Sequence, residues 1–251
     1  MQDAITTIVK ARADVNSFDL SLLPDTLAAA YAFQDSYVAA VGDVGGYKLA
    51  VNGAPQMAHF GVTEPAWARI FATEIYASGT HLPRSSFHGV SVEPEVAAIL
   101  GDGVQGLTAP VDRAGAEALI DRFHPAIELI DQRGLLLPQL TLPQAVALNV
   151  FNAGCVLGAD HIAPADLDIA AMHVTIQDDG VPMGEATGTA PQHPVEAVMW
   201  LVNTLLARGI VAQPGMVVMC GTHLPLRTLE PGVARVDVAM SGLGTVSVTF
   251  D

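Results

Sequence analysis

The spacing of apolar residues along the chain predicts a mixture of helices and strands. Four segments carry apolar residues at helical intervals and are predicted to be helices: residues 24–41, 113–124, 142–158 and 193–209. Residues 54–73 have a similar spacing, but Gly61 and Pro65 interrupt it, so we predict two short helical pieces there.

Short apolar runs bounded by Gly or Pro predict strands. The predicted strands cover residues 45–52, 90–100, 125–131, 168–180, 216–221, 234–240 and 245–250. The fourth of these segments ends in a turn at Asp179-Gly180, a residue pair that favours tight hairpins. Helices and strands do not alternate strictly, so their order favours a mainly antiparallel α+β fold over a doubly wound parallel sheet.

The composition indicates a folded protein and excludes some classes of binding partner. The chain has 251 residues, 51% of them apolar and 15% charged, which is enough apolar surface to fold and excludes an intrinsically disordered protein. Its 26 acidic and 11 basic residues give a net charge of −15, which would repel nucleic acid and anionic membranes. Because so few residues are charged, we expect subunit contacts to cover part of the apolar surface and predict a homo-oligomer.

The cysteines and the absence of long apolar runs predict a cytoplasmic protein. Cys155 and Cys220 lie far apart without metal-type spacing, and two thiols in a chain of this size do not make a disulfide framework. Residues 1–20 contain no unbroken apolar stretch after a basic start, and no later segment is apolar over about 18 residues. We therefore expect neither a targeting segment nor a membrane span.

Three acidic residues lie within apolar predicted strands. Glu93 and Glu95 are two positions apart, so they project from the same face of a strand, and Glu128 lies in a second apolar strand. Such carboxylates are costly to desolvate unless a cation compensates them. With no Cys or His at ligand spacing, they indicate a hard divalent ion, Mg²⁺ or Mn²⁺. The alternative is that these acids occupy the solvated face of a half-exposed strand, and the short Glu-x-Glu motif alone leaves this open.

Lys48 is the next candidate for chemistry. It is one of only two lysines and lies in an apolar segment rather than on a polar helix. A lysine beside a metal-bound anionic substrate can pair with its carboxylate or transfer a proton. The alternative is a lysine on an edge strand that protects the sheet against aggregation.

Seven segments, in order along the chain, resemble the 2-keto-4-pentenoate hydratase and 4-oxalocrotonate decarboxylase group of the fumarylacetoacetate hydrolase superfamily. They are AYAFQD at 30–35, residues 46–71, VEPEVAAIL at 92–100, PAIELID at 125–131, residues 193–209, PGMVVMCGT at 214–222 and SGLGTVSVTF at 241–250. The resemblance covers nearly the whole chain from about residue 28.

The resemblance implies an α+β fold with a mixed β-sandwich roll, in a multimer. It implies a helical segment over residues 1–45 and a catalytic domain over residues 46–251. By the family pattern, Glu93, Glu95 and Glu128 match the metal ligands and Lys48 matches the active-site lysine. The implied substrate is a 2-oxo acid or its enol, held through one carboxylate oxygen and the 2-oxo group, and the implied cofactor is Mg²⁺ or Mn²⁺.

The chain departs from the family pattern at several positions. Thr73 stands where the family has an aspartate, and Glu74 could replace that acid only by a shift. Only Asn149 is kept from the family's Asp-Asn-Ala-Ser stretch, and Cys220-Gly221-Thr222-His223 replaces the family's C-terminal Thr-Gly-Ser/Ala motif. We expect Thr222 to act as a supporting donor and His223 as a replacement acid or base. Arg133 is expected either to bind a second substrate carboxylate or, in preference, to form a surface ion pair.

Four activities are consistent with these residues and the resemblance, and hydration is the leading hypothesis. A metal-dependent lyase would add water to a 2-hydroxy-2,4-dienoate or unsaturated 2-oxo acid from aromatic catabolism. The alternatives are a 4-oxalocrotonate-type decarboxylase, an acylpyruvate carbon-carbon hydrolase, and a non-catalytic subunit that stabilises a partner enzyme of the same pathway. The hydrolase needs a His-acid pair in the N-terminal part, and the sequence contains no convincing one.

Overall fold

Two β-sheets and six α-helices make up the part of the chain that the computed structural model describes, residues 1–136 and 139–251. The helices are α1 (Gln2–Ala13), α2 (Leu27–Val41), α3 (Ala54–Phe60), α4 (Arg113–Ala118), α5 (Leu142–Ala147) and α6 (Pro194–Ala207). The strands are β1 (Val44–Ala50), β2 (Ala66–Phe71), β3 (Ile75–Ala77), β4 (His81–Leu82), β5 (Val90–Leu100), β6 (Ile120–Asp131), β7 (Asn152–Leu157), β8 (His173–Asp178), β9 (Val181–Thr187), β10 (Val217–Thr222), β11 (Arg227–Thr228), β12 (Arg235–Met240) and β13 (Gly244–Phe250).

The larger sheet has eight strands and contains the two longest, β5 and β6. Its order is β2-β1-β10-β5-β6-β7-β3, and β11 pairs with the outer part of β5. β5 and β6 run antiparallel along nearly their whole lengths, whereas β1 pairs in parallel with β10 and β3 with β7. The sheet is therefore mixed, with β5 and β6 at its centre.

The smaller sheet has five strands in the order β4-β13-β12-β8-β9 and is also mixed, because β4 runs parallel to β13. Its buried residues, such as Val238 and Val248, share one apolar core with Val96 and Ile127 of the larger sheet and with Leu201 of α6. Burial of these aliphatic side chains holds both sheets and α6 together.

A second apolar core lies among α1, α2 and α5. Ile8 of α1, Phe33 of α2 and Val146 of α5 are buried in it together with Phe71 and Ile130 of the larger sheet. The N-terminal helices thus share a core with strands β2 and β6 of the larger sheet. No helix in the described ranges has both the length and the apolar character needed to cross a membrane.

Several predicted elements are confirmed. Helices α2 and α6 and strands β1 and β5 lie where the apolar spacing predicted them, as do the C-terminal strands β10, β12 and β13. The turn at Asp179-Gly180 joins β8 to β9, with both residues at positive φ. Most strand pairs are antiparallel, as expected for an α+β order.

Other predicted elements are wrong. Residues 66–71 form strand β2 rather than a helix. Every residue of this strand is buried, so the sequence lacks the alternation of apolar and polar positions that would have predicted a strand. The predicted helix 113–124 ends at Ala118, and β6 begins at Ile120. The predicted helix 142–158 ends at Ala147 and is followed by β7. Strand β9 was not predicted.

Candidate metal centre

The three predicted glutamates converge at the centre of the larger sheet. Glu93 and Glu95 project from one face of β5, and Glu128 of β6 lies directly opposite Glu93 in the antiparallel register. One carboxylate oxygen from each of the three lies within 4.8 Å of the others. Glu95 and Glu128 are buried and Glu93 is half-buried, so the alternative of a fully solvated acidic face is wrong.

Burial and mutual repulsion make the charged forms of these carboxylates unfavourable in the absence of a cation. Desolvation and the charge of Glu128 raise the pKa of Glu93 to about 8, although the Lys48 ammonium acts in the opposite direction. Desolvation together with the charges of Glu128 and Glu93 raises the pKa of Glu95 well above its ordinary value, although the Gly221 N–H donates to Glu95 Oε2 at 2.7 Å. The site thus concentrates negative charge that a divalent cation would neutralise.

The donor set fits Mg²⁺ or Mn²⁺. It consists of carboxylate oxygens alone, which hard divalent ions prefer, and it leaves coordination positions for other oxygen ligands. Glu128 Oε1 is buried, and among the described residues it is opposed by the Lys48 ammonium. A bound cation would add a second positive charge beside this oxygen.

Lys48 lies at the edge of the glutamate cluster. It is only 1% exposed, its ammonium pairs with Glu128, and its Nζ donates to the Val150 carbonyl at 3.0 Å. Because β1 lies between β2 and β10, the alternative of a protective lysine on an edge strand is wrong.

A strained turn supplies the carbonyl that Lys48 contacts. Asn149, Val150 and Phe151 all have positive φ, between 45° and 55°, and none of them is glycine. The Asn149 side chain fixes this turn, because Oδ1 accepts from the Arg69 N–H and Nδ2 donates to the Arg69 carbonyl, both at 2.8 Å. Left-handed conformations of β-branched residues are unfavourable and are held only where the surroundings enforce them, often at functional sites.

Glycine is required where β10 approaches the cluster. Gly221 has a φ of +111°, and a Cβ at this position would lie 2.4 Å from the Asn52 side-chain nitrogen. The absence of a side chain lets the Gly221 N–H reach Glu95, while Asn52 Nδ2 donates to the Cys220 carbonyl at 3.0 Å.

The glutamates and Lys48 open into a cavity of about 250 Å³. Beyond these charged groups, its lining is made of neutral side chains, among them Asn52, Gln56, Ile130, Gln132, Phe151 and Leu226. A cavity that combines buried titratable groups with otherwise neutral walls is typical of a small-molecule binding site.

Thr222 lines this cavity, but its hydroxyl is engaged with the backbone. The Thr222 Oγ1 donates to the Leu224 carbonyl. His223 is buried outside the lining, and burial lowers the pKa of its imidazole to about 4, so the ring is neutral at physiological pH. The two residues therefore differ in access to the cavity although they are neighbours in sequence.

Glu74 lies away from the glutamate cluster. It pairs with Arg12 of α1, accepts from Asn152 Nδ2 at 2.8 Å, and lines a separate cavity of about 400 Å³. Arg133 lines the same separate cavity and is buried in an ion pair with Asp131, so the preferred prediction of a surface ion pair for Arg133 is wrong. The structure brings neither residue to the metal centre.

Three polar residues of the cavity wall, Asn52, Gln56 and Gln132, were not predicted from the sequence. The alternation along β6 carried one usable signal. Glu128 and Ile130 are two positions apart on β6 and share a face, whereas Gln132 lies just beyond the end of the strand at Asp131. Gln56 lies on α3, whose position over the cavity the sequence does not reveal.

Known proteins resemble this chain in sequence along most of its length. A 2-hydroxyhexa-2,4-dienoate hydratase of Comamonas testosteroni is 32% identical over 208 residues, which cover 82% of this chain and 77% of that enzyme. The chain belongs to the 2-keto-4-pentenoate hydratase and 4-oxalocrotonate decarboxylase family. A 4-oxalocrotonate decarboxylase of a Pseudomonas species, also in this family, is 25% identical over 80% of this chain and 77% of its own. A scan against models of protein families finds no match.

Solved structures share the fold of this family member. The 4-oxalocrotonate decarboxylase from Pseudomonas putida G7, complexed with magnesium and adipate, gives a TM-score of 0.86 at 22% identity, covering 99% of this chain and 96% of that one. Fumarylpyruvate hydrolase from Pseudomonas aeruginosa, in complex with Mn²⁺ and pyruvate, gives 0.60 at 19% identity, covering 81% and 88%. At these identities the two structures show that the chain shares their fold.

Proposed function

We propose that this protein is a Mg²⁺- or Mn²⁺-dependent lyase that adds water to a 2-hydroxy-2,4-dienoate, or to the unsaturated 2-oxo acid that is its keto form, in aromatic catabolism. The observation that carries the proposal is the convergence of Glu93, Glu95 and Glu128 beside buried Lys48 in one cavity. Membership of a family that contains dienoate hydratases supports the reaction class.

Glu93, Glu95 and Glu128 would hold the divalent ion. When bound, the ion supplies an electrophile that stabilises negative charge developing on the oxygen at carbon 2 of the substrate. The Gly221 N–H orients Glu95, and the pairing of Glu93 with Glu128 across β5 and β6 fixes the other two carboxylates.

Lys48 is the proposed proton carrier and partner of the substrate carboxylate. Its ammonium is held at the cavity by Glu128 and by the Val150 carbonyl. Conversion of the dienol to the unsaturated ketone moves one proton from the enol oxygen to carbon. Water then adds across the carbon-carbon double bond that is conjugated with this ketone. Thr222 is proposed as a supporting group once its hydroxyl releases the Leu224 carbonyl.

Ultraviolet absorbance of 2-hydroxypenta-2,4-dienoate solutions tests the proposal. With Mg²⁺ or Mn²⁺ the wild-type protein should remove the dienol band without releasing CO₂. Glu95→Gln should lower this activity by at least about 10²-fold, because the variant loses a ligand charge. Glu117→Gln is a suitable control, since Glu117 is outside the cavity lining and forms a loose surface pair with Arg113.

Two results would contradict hydration. CO₂ release from 4-oxalocrotonate at a higher rate than dienol loss would favour the decarboxylase, an activity named among the relatives. Absence of turnover with either substrate and either ion would favour the non-catalytic subunit.

We also propose the finer features implied by the family resemblance. The shared core of the two sheets supports a mixed β-sandwich roll of the fumarylacetoacetate hydrolase type. The helices α1 and α2 within residues 1–45 support a helical segment ahead of a catalytic unit over residues 46–251. A homo-oligomer and a cytoplasmic location remain predictions; the free thiols of Cys155 and Cys220 support the latter.

A further inference from the structure

The walls of the cavity beyond the metal centre carry no positive charge. Among the described residues that line this cavity, Lys48 is the only lysine, arginine or histidine. Its charge is already opposed by Glu128. With a divalent ion bound, the charges of the ion and Lys48 are balanced by the three glutamates, so no cation is left over for a second anionic group.

The other basic residues are engaged elsewhere. Lys10 and the nine arginines lie outside the lining, and each contacts an acidic side chain or backbone carbonyls in another part of the molecule. Arg69, on the strand next to β1, pairs with Asp35 and stacks on Trp67. Arg133, close to Gln132 in sequence, pairs with Asp131. Neither is free to turn into the cavity without breaking a buried contact.

Residues on β6 and in the cavity wall indicate which side chains the substrate tail would contact. Ile130 follows Glu128 by two positions on β6 and so lies about 7 Å further along the same face, and Gln132, just beyond the end of β6 at Asp131, lines the same cavity. Phe151 and Leu226 line the same cavity. A substrate bound at Glu128 and extended along this face would meet first an aliphatic wall and then the neutral amide of Gln132.

We propose that the substrate carries a single carboxylate and an uncharged alkyl or alkenyl tail, and that Ile130 and Gln132 select against a second carboxylate. This inference rests on the proposed function, since it assumes that the first carboxylate binds at the metal centre. A carboxylate at the far end of the substrate would lose its hydration beside Ile130 and Phe151 without gaining a cation, which is strongly unfavourable. Dicarboxylates such as 4-oxalocrotonate are therefore poor substrates.

A matched pair of ligands tests the inference without turnover. 2-Oxohexanoate and 2-oxohexanedioate have the same chain length and differ only in a terminal methyl group or carboxylate. We expect isothermal titration calorimetry on the Mn²⁺-loaded protein to show binding of the monoacid at least about tenfold tighter. Equal affinity, or tighter binding of the diacid, would overturn the inference. The same holds if a cation contributed by a second subunit produces that result.

A charge placed at the far end of the cavity gives an independent test. Gln132→Arg should tighten binding of 2-oxohexanedioate relative to 2-oxohexanoate by about tenfold, because the new guanidinium pairs with the terminal carboxylate. Gln132→Met, which is similar in size but uncharged, should leave the ratio as in the wild type. An unchanged ratio in a folded Gln132→Arg variant would remove Gln132 from the tail-binding wall.

The results separate this inference from the proposed function. If neither ligand binds the Mn²⁺-loaded protein, both proposals fail. If the diacid binds as well as the monoacid while 2-hydroxyhexa-2,4-dienoate is hydrated, the proposed function stands and only the tail assignment fails. Turnover rates measured side by side with 2-hydroxyhexa-2,4-dienoate and 2-oxohept-4-ene-1,7-dioate provide the corresponding kinetic test. The inference predicts a large preference for 2-hydroxyhexa-2,4-dienoate.

Discussion

Lys48 and Glu128 form an ion pair with almost no exposure to solvent. Both side chains are 2% exposed, and the pair lies next to two further carboxylates. Burying such charges costs free energy that hydrophobic residues of the same volume would not cost. Their presence at the centre of an otherwise apolar sheet is therefore better explained by chemistry than by stability.

Replacement of Lys48 should separate proton transfer from metal binding. We predict that Lys48→Met lowers turnover of 2-hydroxypenta-2,4-dienoate by about 10²-fold or more, because the proton carrier is lost. Mn²⁺ binding, measured by calorimetry, should persist, since the three glutamates remain. Lys10→Met serves as the control, because Lys10 forms an exposed pair with Asp14. Turnover close to that of the wild type would exclude Lys48 as the proton carrier.

His223 should make the folded state sensitive to acid. Burial lowers the pKa of its imidazole to about 4 in the folded protein, whereas the unfolded chain has an ordinary pKa near 6.5. Between these values the unfolded state binds more protons, so the contribution of His223 to stability is present above pH 6.5 and is lost as pH falls toward 4. From pH 7 to pH 5 the loss should be about 2 kcal/mol.

Chemical denaturation at the two pH values checks the prediction for His223. On going from pH 7 to pH 5, the unfolding free energy of the wild type should fall by that amount relative to the unfolding free energy of His223→Leu. The comparison removes the contribution of the acidic residues, which both proteins share. A pH-independent difference would show that the imidazole is as easily protonated in the folded state as in the unfolded one.

At the scale of elements, the turn between α5 and β7 connects the helical part of the molecule to the metal centre. Residues Asn149–Phe151 reverse the chain with three consecutive left-handed conformations and present the Val150 carbonyl to Lys48. The Asn149 side chain satisfies the backbone N–H and carbonyl of Arg69 on the free edge of β2. A single asparagine thus couples the edge strand to the position of Lys48.

Loss of the Asn149 side chain should therefore affect both stability and turnover. We predict that Asn149→Ala lowers the unfolding free energy by about 3 kcal/mol, because two buried backbone groups lose their partners. It should also reduce turnover, because the Val150 carbonyl no longer holds the Lys48 ammonium.

A matched control for Asn149 exists in the same chain. Asn203 of α6 makes the same pair of hydrogen bonds to the backbone of Val111, both at 2.9 Å, away from the metal centre. Asn203→Ala should lower stability but leave the rate per folded molecule unchanged. Equal kinetic effects of the two variants, measured with denaturation curves on the same samples, would contradict the coupling.

The elements that sequence patterns missed share a physical cause. All of β2 is buried, so Ala66–Phe71 shows no alternation of apolar and polar residues and looks like part of a helix. The segment 142–158 is mostly apolar, and only the tertiary contacts of Asn149 reverse it before β7 begins. By contrast, α2 and α6 carry caps and lengths that the local sequence specifies, so their prediction is confirmed.

At the scale of the whole molecule, the N-terminal helices are integral to the core. Ile5 and Ile8 of α1 and Phe33 of α2 are buried with Phe71 and Ile130 of the larger sheet. Arg12 extends from α1 to Glu74 and to the Asn152 carbonyl, where it donates at 3.0 Å. Removal of these helices would expose apolar surface directly beside the strands that carry the metal centre.

A truncation tests whether residues 46–251 fold alone. We predict that this segment lacks a cooperative thermal transition in circular dichroism and binds Mn²⁺ weakly, because the apolar surface normally covered by α1 and α2 is exposed. The full chain should melt in a single transition. A truncated protein with a sharp transition and intact Mn²⁺ binding would instead support residues 1–45 as a separable segment.

The sequence by itself determined which residues have no place in an ordinary core. Glu93, Glu95, Glu128 and Lys48 stand out because charged side chains are rare in apolar strands, and their spacing along a strand fixes which of them share a face. The strand alternation and helix caps also determined most of the elements, since both depend on neighbouring residues only.

Only the tertiary structure decided which distant segments meet. The register of β5 with β6 brings Glu128 opposite Glu93, and the left-handed turn brings Val150 to Lys48. The same packing separates Glu74 from the cavity and lines the cavity, beyond the glutamates and Lys48, with neutral side chains. Long-range strand pairing and buried side-chain contacts join positions far apart in the chain, and local patterns contain no information on such pairs.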